Sequence, residues 1–147
     1  MTSDQRRRHR LPVRVYFEDT DAGGIVYHAN YLKFAERART EMLREVGLDH
    51  PTLQRECGIA FTVRRCTLDC LTPGRLDDRL EVETEIIRRG GASLSFFQRI
   101  LRGPDVVARV EIRVALVDAR DRPARMPAVL KTALAGWAAG HPGATDD

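Results

Sequence analysis

Between Val106 and Val117 apolar and polar residues alternate more cleanly than anywhere else in the chain. Val106, Ala108, Val110, Ile112, Val114 and Leu116 fall on one side, Arg109, Glu111 and Arg113 on the other. Successive side chains of a strand point to opposite faces, so this run demands a sheet with one buried face. Residues 80–88 repeat the pattern, with Leu80, Val82, Thr84 and Ile86 set against Glu81, Glu83 and Glu85. Residues 93–102 carry Leu94, Phe96 and Ile100. Gly90-Gly91 and Gly103-Pro104-Asp105 separate these runs, and connections of that length make neighbouring strands antiparallel. Residues 59–71 read as a further strand whose phase slips between Phe61/Val63 and Cys66/Leu68/Cys70, which a bulge near Arg64-Arg65 reconciles. Thr72-Pro73-Gly74 then turns the chain. Residues 11–17 read as a first strand, with Val13, Val15 and Phe17 on one face.

A different period intervenes after that first strand. Tyr31, Ala35, Ala38, Met42 and Val46 recur at three- and four-residue spacing, opposite Lys33, Glu36, Arg37, Glu41 and Arg44. This predicts a helix over residues 31–46, with Asn30 as N-cap and Gly47 just past its end. Ala35 and Ala38 let it lie close against a sheet, and its stripe needs the broad apolar surface that the later strands supply. A helical turn is expected over residues 52–56 and a short closing helix over residues 127–138. One long helix on one face of an antiparallel five-stranded sheet is an α+β fold.

The length of 147 residues fits one domain. The expected division is a disordered basic tail over residues 1–10, a single domain over residues 11–139 and a flexible C-terminus over residues 140–147. Hydrophobic residues at 43% and charged residues at 31% describe a soluble globular protein, and no apolar run approaches the length of a membrane span. Cys57, Cys66 and Cys70 are odd in number and lack partners at metal-ligand spacing. They are expected to be reduced, in a cytoplasmic setting, with Cys66 and Cys70 as small core residues. The net charge of +3 owes much to Arg6-Arg7-Arg8-His9-Arg10. That run has no interleaved aromatics for base stacking, so a nucleic-acid partner is not expected.

The chemistry concentrates between the first strand and the helix, in Glu18-Asp19-Thr20-Asp21-Ala22-Gly23-Gly24 followed by Tyr27, His28, Asn30 and Tyr31. Asp, Thr and paired Gly mark a tight excursion of the backbone. A carboxylate, an imidazole and the unpaired N–H groups of a helix start would lie close together there, which is the raw material of a catalytic site. On residue type alone, Asp19 and Asp21 equally suit an Asx-type turn, His28 a hydrogen-bonded structural role and Tyr27 packing. Gly23-Gly24 permits close approach of backbone to ligand, but GxxxxGK[ST] is absent.

Tyr16, Glu18-Asp19-Thr20-Asp21, Gly23-Gly24, Val26-Tyr27-His28, Asn30-Tyr31 and Glu36-Arg37-Ala38-Arg39-Thr40-Glu41 together resemble the signature of hotdog-fold acyl-CoA thioesterases. The likeness is to the Tol-Pal-associated branch, related to 4-hydroxybenzoyl-CoA thioesterase, and extends more weakly to about Leu130. It implies a sheet wrapped around the long helix and hydrolysis of acyl-CoA to a free acid and coenzyme A. Asp21 matches the family's catalytic aspartate, as nucleophile or general base. The His28 backbone N–H resembles the oxyanion donor, with Tyr27 beside it, and Asp19 takes a structural part. Gly23 and Gly24 border the substrate. Ser93 resembles the position from which a neighbouring subunit reaches the acyl site. No metal or redox cofactor is implied.

Arginine suits the phosphates of coenzyme A, and Arg88 and Arg89 are the candidates carried forward from a set that includes Arg64, Arg65, Arg99 and Arg102. A homo-oligomer, dimer or tetramer, is expected, because an open sheet leaves an edge to cover. Three alternatives stay open: a hotdog hydratase or dehydratase, a non-catalytic module binding acyl groups or acyl carrier protein, and nucleic-acid binding through the arginine tail.

Overall fold

The computed structural model describes residues 7–138. The chain runs β1 (His9–Arg14), a 3₁₀ turn (Phe17–Asp19), α1 (His28–Glu45), α2 (His50–Cys57), β2 (Ala60–Cys70), β3 (Arg79–Arg89), β4 (Ser93–Arg102), β5 (Asp105–Val117) and α3 (Ala128–Ala138). The five strands form one sheet in the order β1-β3-β4-β5-β2, antiparallel at every pairing. α1 lies across one face of it, against β1, β3, β4 and β5. This is the expected α+β architecture.

The alternation read in β4 and β5 is the alternation of burial, whereas in β3 Glu83 and Glu85 of the polar face are buried too. Leu80, Val82, Thr84 and Ile86 of β3 are buried, as are Ala108, Val110, Ile112, Val114 and Leu116 of β5. One part of the core joins Val13, Val15, Tyr31, Phe34, Ala38, Val82 and Ile100. The other joins Ala35, Met42, Leu94, Phe96, Val110 and Leu116, and is closed by Leu130, Leu134 and Trp137 of α3. Ala35 and Ala38 are fully buried, so the helix backbone comes close to the sheet. The bulge expected near Arg64-Arg65 is present, as a register shift between Val63 and Arg65. Gly47 follows α1 with φ of 85°, a left-handed conformation that ends a helix.

Several boundaries differ from expectation. β1 begins at His9, so the basic tail loses its last residues to the fold. His9 is buried and its Nε2 lies 2.9 Å from Glu45, Arg10 pairs with Glu81 and Glu83, and Arg8 with Glu85. A run of like charges looks like a solvated tail until its acidic partners, which lie mostly on β3, are known. Residues 1–6 of that tail, and the C-terminal segment expected over 140–147, lie outside the described residues. β1 ends at Arg14, and Phe17 leaves the face it was expected to share with Val13 and Val15; it is 81% exposed on the 3₁₀ turn.

Helix α1 starts at His28, not Tyr31, with Tyr27 in the N-cap position. Asn30 is therefore inside the first turn, and its side chain donates to Asp19 Oδ1 instead of capping. Cys66 and Cys70, expected in the core, are exposed. β2 is an edge strand, and of its inward apolar side chains only Phe61 and Leu68 pack against the core. Among the described residues no helix is long and apolar enough to cross a membrane.

Candidate active site

The loop from β1 to α1 is folded by its own polar groups. Asp19 N–H donates to Tyr16 O and Thr20 N–H to Phe17 O, closing the 3₁₀ turn. Asp21 N–H donates to Ile25 O at 2.9 Å and Gly24 N–H to Asp21 O at 3.1 Å, which folds residues 21–25 into a tight hairpin. Asp21 Oδ1 accepts from Gly23 N–H at 2.8 Å, an Asx turn. Gly24 has φ of 78°, which a side chain would strain. Beneath this hairpin Asp19 is buried: Oδ2 accepts from Tyr16 N–H at 2.8 Å, Oδ1 from Asn30 Nδ2 at 3.0 Å, and its carbonyl from Tyr27 N–H at 2.9 Å.

The consequence is that Asp21 is delivered to the amino end of α1. No side chain caps that end. Asn30 N–H reaches back to Tyr27 O, while among the described residues the His28 and Ala29 N–H groups make no hydrogen bond. Two backbone donors and the positive end of the helix dipole are therefore available to an anion. Asp21 and His28, both exposed, line one cleft of about 230 Å³. Its remaining lining includes Val26, Tyr31, Cys70 and the strap Leu71-Thr72-Pro73. Tyr27 is half-exposed and its ring lies 4.7 Å from that of His28, where it can fix the imidazole's orientation.

The strap is held from three sides. Tyr31 Oη accepts from Gly74 N–H at 3.0 Å, Val26 N–H donates to Gly74 O at 2.8 Å, and Arg102 donates to Pro73 O while pairing with Asp78. Burial raises the Tyr31 hydroxyl's pKa, with the Gly74 N–H opposing, so the hydroxyl keeps its proton. A carboxylate, two free N–H donors and an imidazole around one cleft are suited to attack on a carbonyl whose oxygen gains negative charge.

The sequence profile of the thioesterase-like superfamily matches residues 15–134. The chain belongs to that superfamily. Among relatives of this thioesterase, the acyl-CoA thioesterase YbgC of Haemophilus influenzae is 46% identical over 124 residues, which cover 84% of this chain and 91% of that protein. The acyl-CoA thioester hydrolase YbgC of Escherichia coli O6:H1 is 51% identical over 110 residues, covering 74% of this chain and 81% of that protein. The crystal structure of a probable thioesterase from Bartonella henselae superposes with a TM-score of 0.78 at 35% identity, covering 82% of this chain and all of that one. A 1,4-dihydroxy-2-naphthoyl-CoA thioesterase from Synechocystis reaches 0.81 at 21% identity, covering 87% and 96%, a likeness of fold alone. The fold is the hotdog fold that the signature implied.

Not every expected site residue of this thioesterase meets at the cleft. Asp21 and His28 line it, Gly23 and Gly24 shape its loop, and Tyr27 flanks His28. Ser93, Arg88 and Arg89 do not line it. Ser93 is buried beside a cavity of about 460 Å³ shared with Arg64, Arg65 and Arg113. Arg88 lines another of about 370 Å³ with Arg65, Thr67 and Ser95, and Arg89 is half-buried at the end of β3. Arg99 is taken up by Glu83 and Arg102 by Asp78.

Sequence reasoning places Tyr31 at the helix entrance and in the helical stripe but misses its bond to the strap, and it expects Cys70 in the core. The one available signal was Thr72-Pro73-Gly74, whose turn chemistry says nothing about where the turn docks.

Proposed function

We propose that this thioesterase hydrolyses acyl-CoA, releasing a carboxylic acid and coenzyme A, with Asp21 as nucleophile or general base. The observation that carries this reading is that the Asp21 carboxylate and the uncapped start of α1 open onto the same cleft. The thioester carbon sits between them. Asp21 either attacks that carbon or takes the proton of an attacking water. The carbonyl oxygen takes up the displaced electron pair and is held by the His28 and Ala29 N–H groups. The C–S bond then breaks and the thiolate leaves, a good enough leaving group to need no dedicated strong acid; where Asp21 itself has attacked, water then hydrolyses the acyl–Asp21 anhydride to release the acid and restore the carboxylate. The relatives named for acyl-CoA hydrolysis support the substrate class.

Arg88 and its neighbour Arg65 are cations well placed to hold the phosphates of coenzyme A, with Arg89 nearby in sequence. β2 pairs only with β5, leaving eleven residues of strand edge, and a second copy of the chain pairing there would cover it.

A thiol-release screen over short, long and aromatic acyl-CoAs tests the reading. Wild type releases thiol, and Asp21→Asn, whose amide oxygen still accepts from Gly23 N–H, is slower by about 100-fold or more. Near-normal turnover in Asp21→Asn removes that side chain from the mechanism, and tight acyl-CoA binding without thiol release favours a binding module instead.

A further inference from the structure

A second cavity, of about 120 Å³, lies toward the other end of α1. Arg39 lines it, eleven residues beyond His28 and hence roughly 16 Å further along the helix axis. Its apolar walls come from Leu43, Phe61, Phe96 and Val114. It shares no lining residue with the Asp21 cleft.

Arg39 is held by a buried device. Gln98 is fully buried, and its Nε2 donates at 2.9 Å both to Ala35 O and to Thr84 Oγ1. With both amide hydrogens committed, the Gln98 oxygen has to face Arg39, whose Nη1 donates to it at 2.9 Å. A guanidinium carries five N–H donors. Among the described residues Gln98 is the one hydrogen-bond acceptor that Arg39 has, and its guanidinium lies 5.9 Å from the centroid of the Phe96 ring. Burial lowers the Arg39 pKa, opposed by the charge of Glu36. Glu36 stands at the rim, where it accepts from Thr40 Oγ1, itself 3.4 Å from His50 Nε2.

A partly desolvated cation with open donors is costly unless an anion meets it. An inorganic anion would leave the apolar walls wet, and a neutral hydrocarbon would leave the guanidinium unanswered. Both surfaces are satisfied by an apolar body ending in a carboxylate, whose two oxygens match the guanidinium fork. A cavity of about 150 Å³ accommodates benzene, so this one limits the body to roughly four to six carbons. We propose that the Arg39 cavity is a binding site for a small organic carboxylate, with the carboxylate on Arg39 and the hydrocarbon against Phe61 and Phe96. The site does not depend on the reaction proposed for Asp21.

Calorimetric titration of the full chain with sodium butanoate, and with butanamide as the uncharged control, tests it. Butanoate binds wild type and Asp21→Asn alike, and butanamide binds about tenfold more weakly or not at all. Arg39→Met loses about tenfold or more in butanoate affinity. Val63→Trp, which fills the cavity from a half-exposed edge position, abolishes binding and carries the test should Arg39→Met fail to fold. Absence of butanoate binding to wild type up to tens of millimolar overturns the proposal. So does equal affinity for butanamide, or binding that survives in Arg39→Met and Val63→Trp but is lost in Asp21→Asn.

Discussion

Asp19 Oδ1 accepts a 3.0 Å hydrogen bond from Asn30 Nδ2, and both side chains are buried. That bond ties the turn carrying Asp21 to the first turn of α1, so the carboxylate and the free helix N–H groups move as one unit. Asp19→Ala strands Asn30 Nδ2 and Tyr16 N–H at once. The expected cost is about 2–3 kcal/mol, read as a lower denaturant midpoint. Turnover should also fall although Asp21 is intact. Unchanged stability would show that the bond is not made in solution.

Tyr31 and Gly74 hold the opposite wall of the cleft. A Cβ on residue 74 would meet Tyr31 Oη at 3.2 Å and Val26 Cγ2 at 3.1 Å, so the strap and the phenol are in close contact. Tyr31→Phe keeps the ring and removes the acceptor for Gly74 N–H. A loss of about 1–2 kcal/mol is expected in chemical denaturation. Hydrogen exchange at Gly74 should quicken in the same variant, and an exchange rate equal to wild type would count against the clamp.

Gln98 connects β4, β3 and α1 through three hydrogen bonds. Gln98→Leu matches its volume but leaves the Arg39 charge without its acceptor and Thr84 Oγ1 without a donor. The variant should unfold about 2–3 kcal/mol more easily. Adding Arg39→Met should recover part of that loss, because the unanswered charge is then gone. A double variant no better than Gln98→Leu would show that Arg39 was not the source of the cost.

Asp49 caps α2 by accepting from Thr52 N–H at 2.7 Å. Hydrogen bonding from Thr52, side chain and then backbone, holds the Asp49 carboxyl below its ordinary pKa, with Arg44 and Arg55 assisting and partial burial opposing. A carboxyl depressed in the folded state adds stability above its ordinary pKa, and that stability is lost as pH falls through the folded value. Asp49→Ala should therefore melt below wild type at neutral pH, and the gap should close as pH drops below about 4. A gap constant across that range would assign the effect to something other than the carboxylate.

How much was legible follows from the range of the forces involved. The alternation at Val82, Val110 and Ile112, the stripe through Ala35, Ala38 and Met42, and the phase slip at Val63 and Arg65 are local periodicities. Each is set by the geometry of a single strand or helix, so the α+β fold could be read from them. The turn carrying Asp19 and Asp21 stood out because it adjoins the helix start in the chain, and the family signature is what singled out Asp21.

Long-range pairing was another matter. Arg8 and Arg10 looked like tail until β3 supplied Glu81, Glu83 and Glu85, some seventy residues away. Cys70 looked like core because alternation reports which side of a strand a residue is on, and not whether anything covers that side. Tyr31 reached Gly74, and Arg39 reached Gln98, only when α1 was laid on the sheet. Local periodicity and turn chemistry determined the elements and the polar turn before α1. Tertiary packing decided which charges are answered, which edge stays open and which cavities exist, because burial and hydrogen-bond partnership belong to pairs of segments and not to either one.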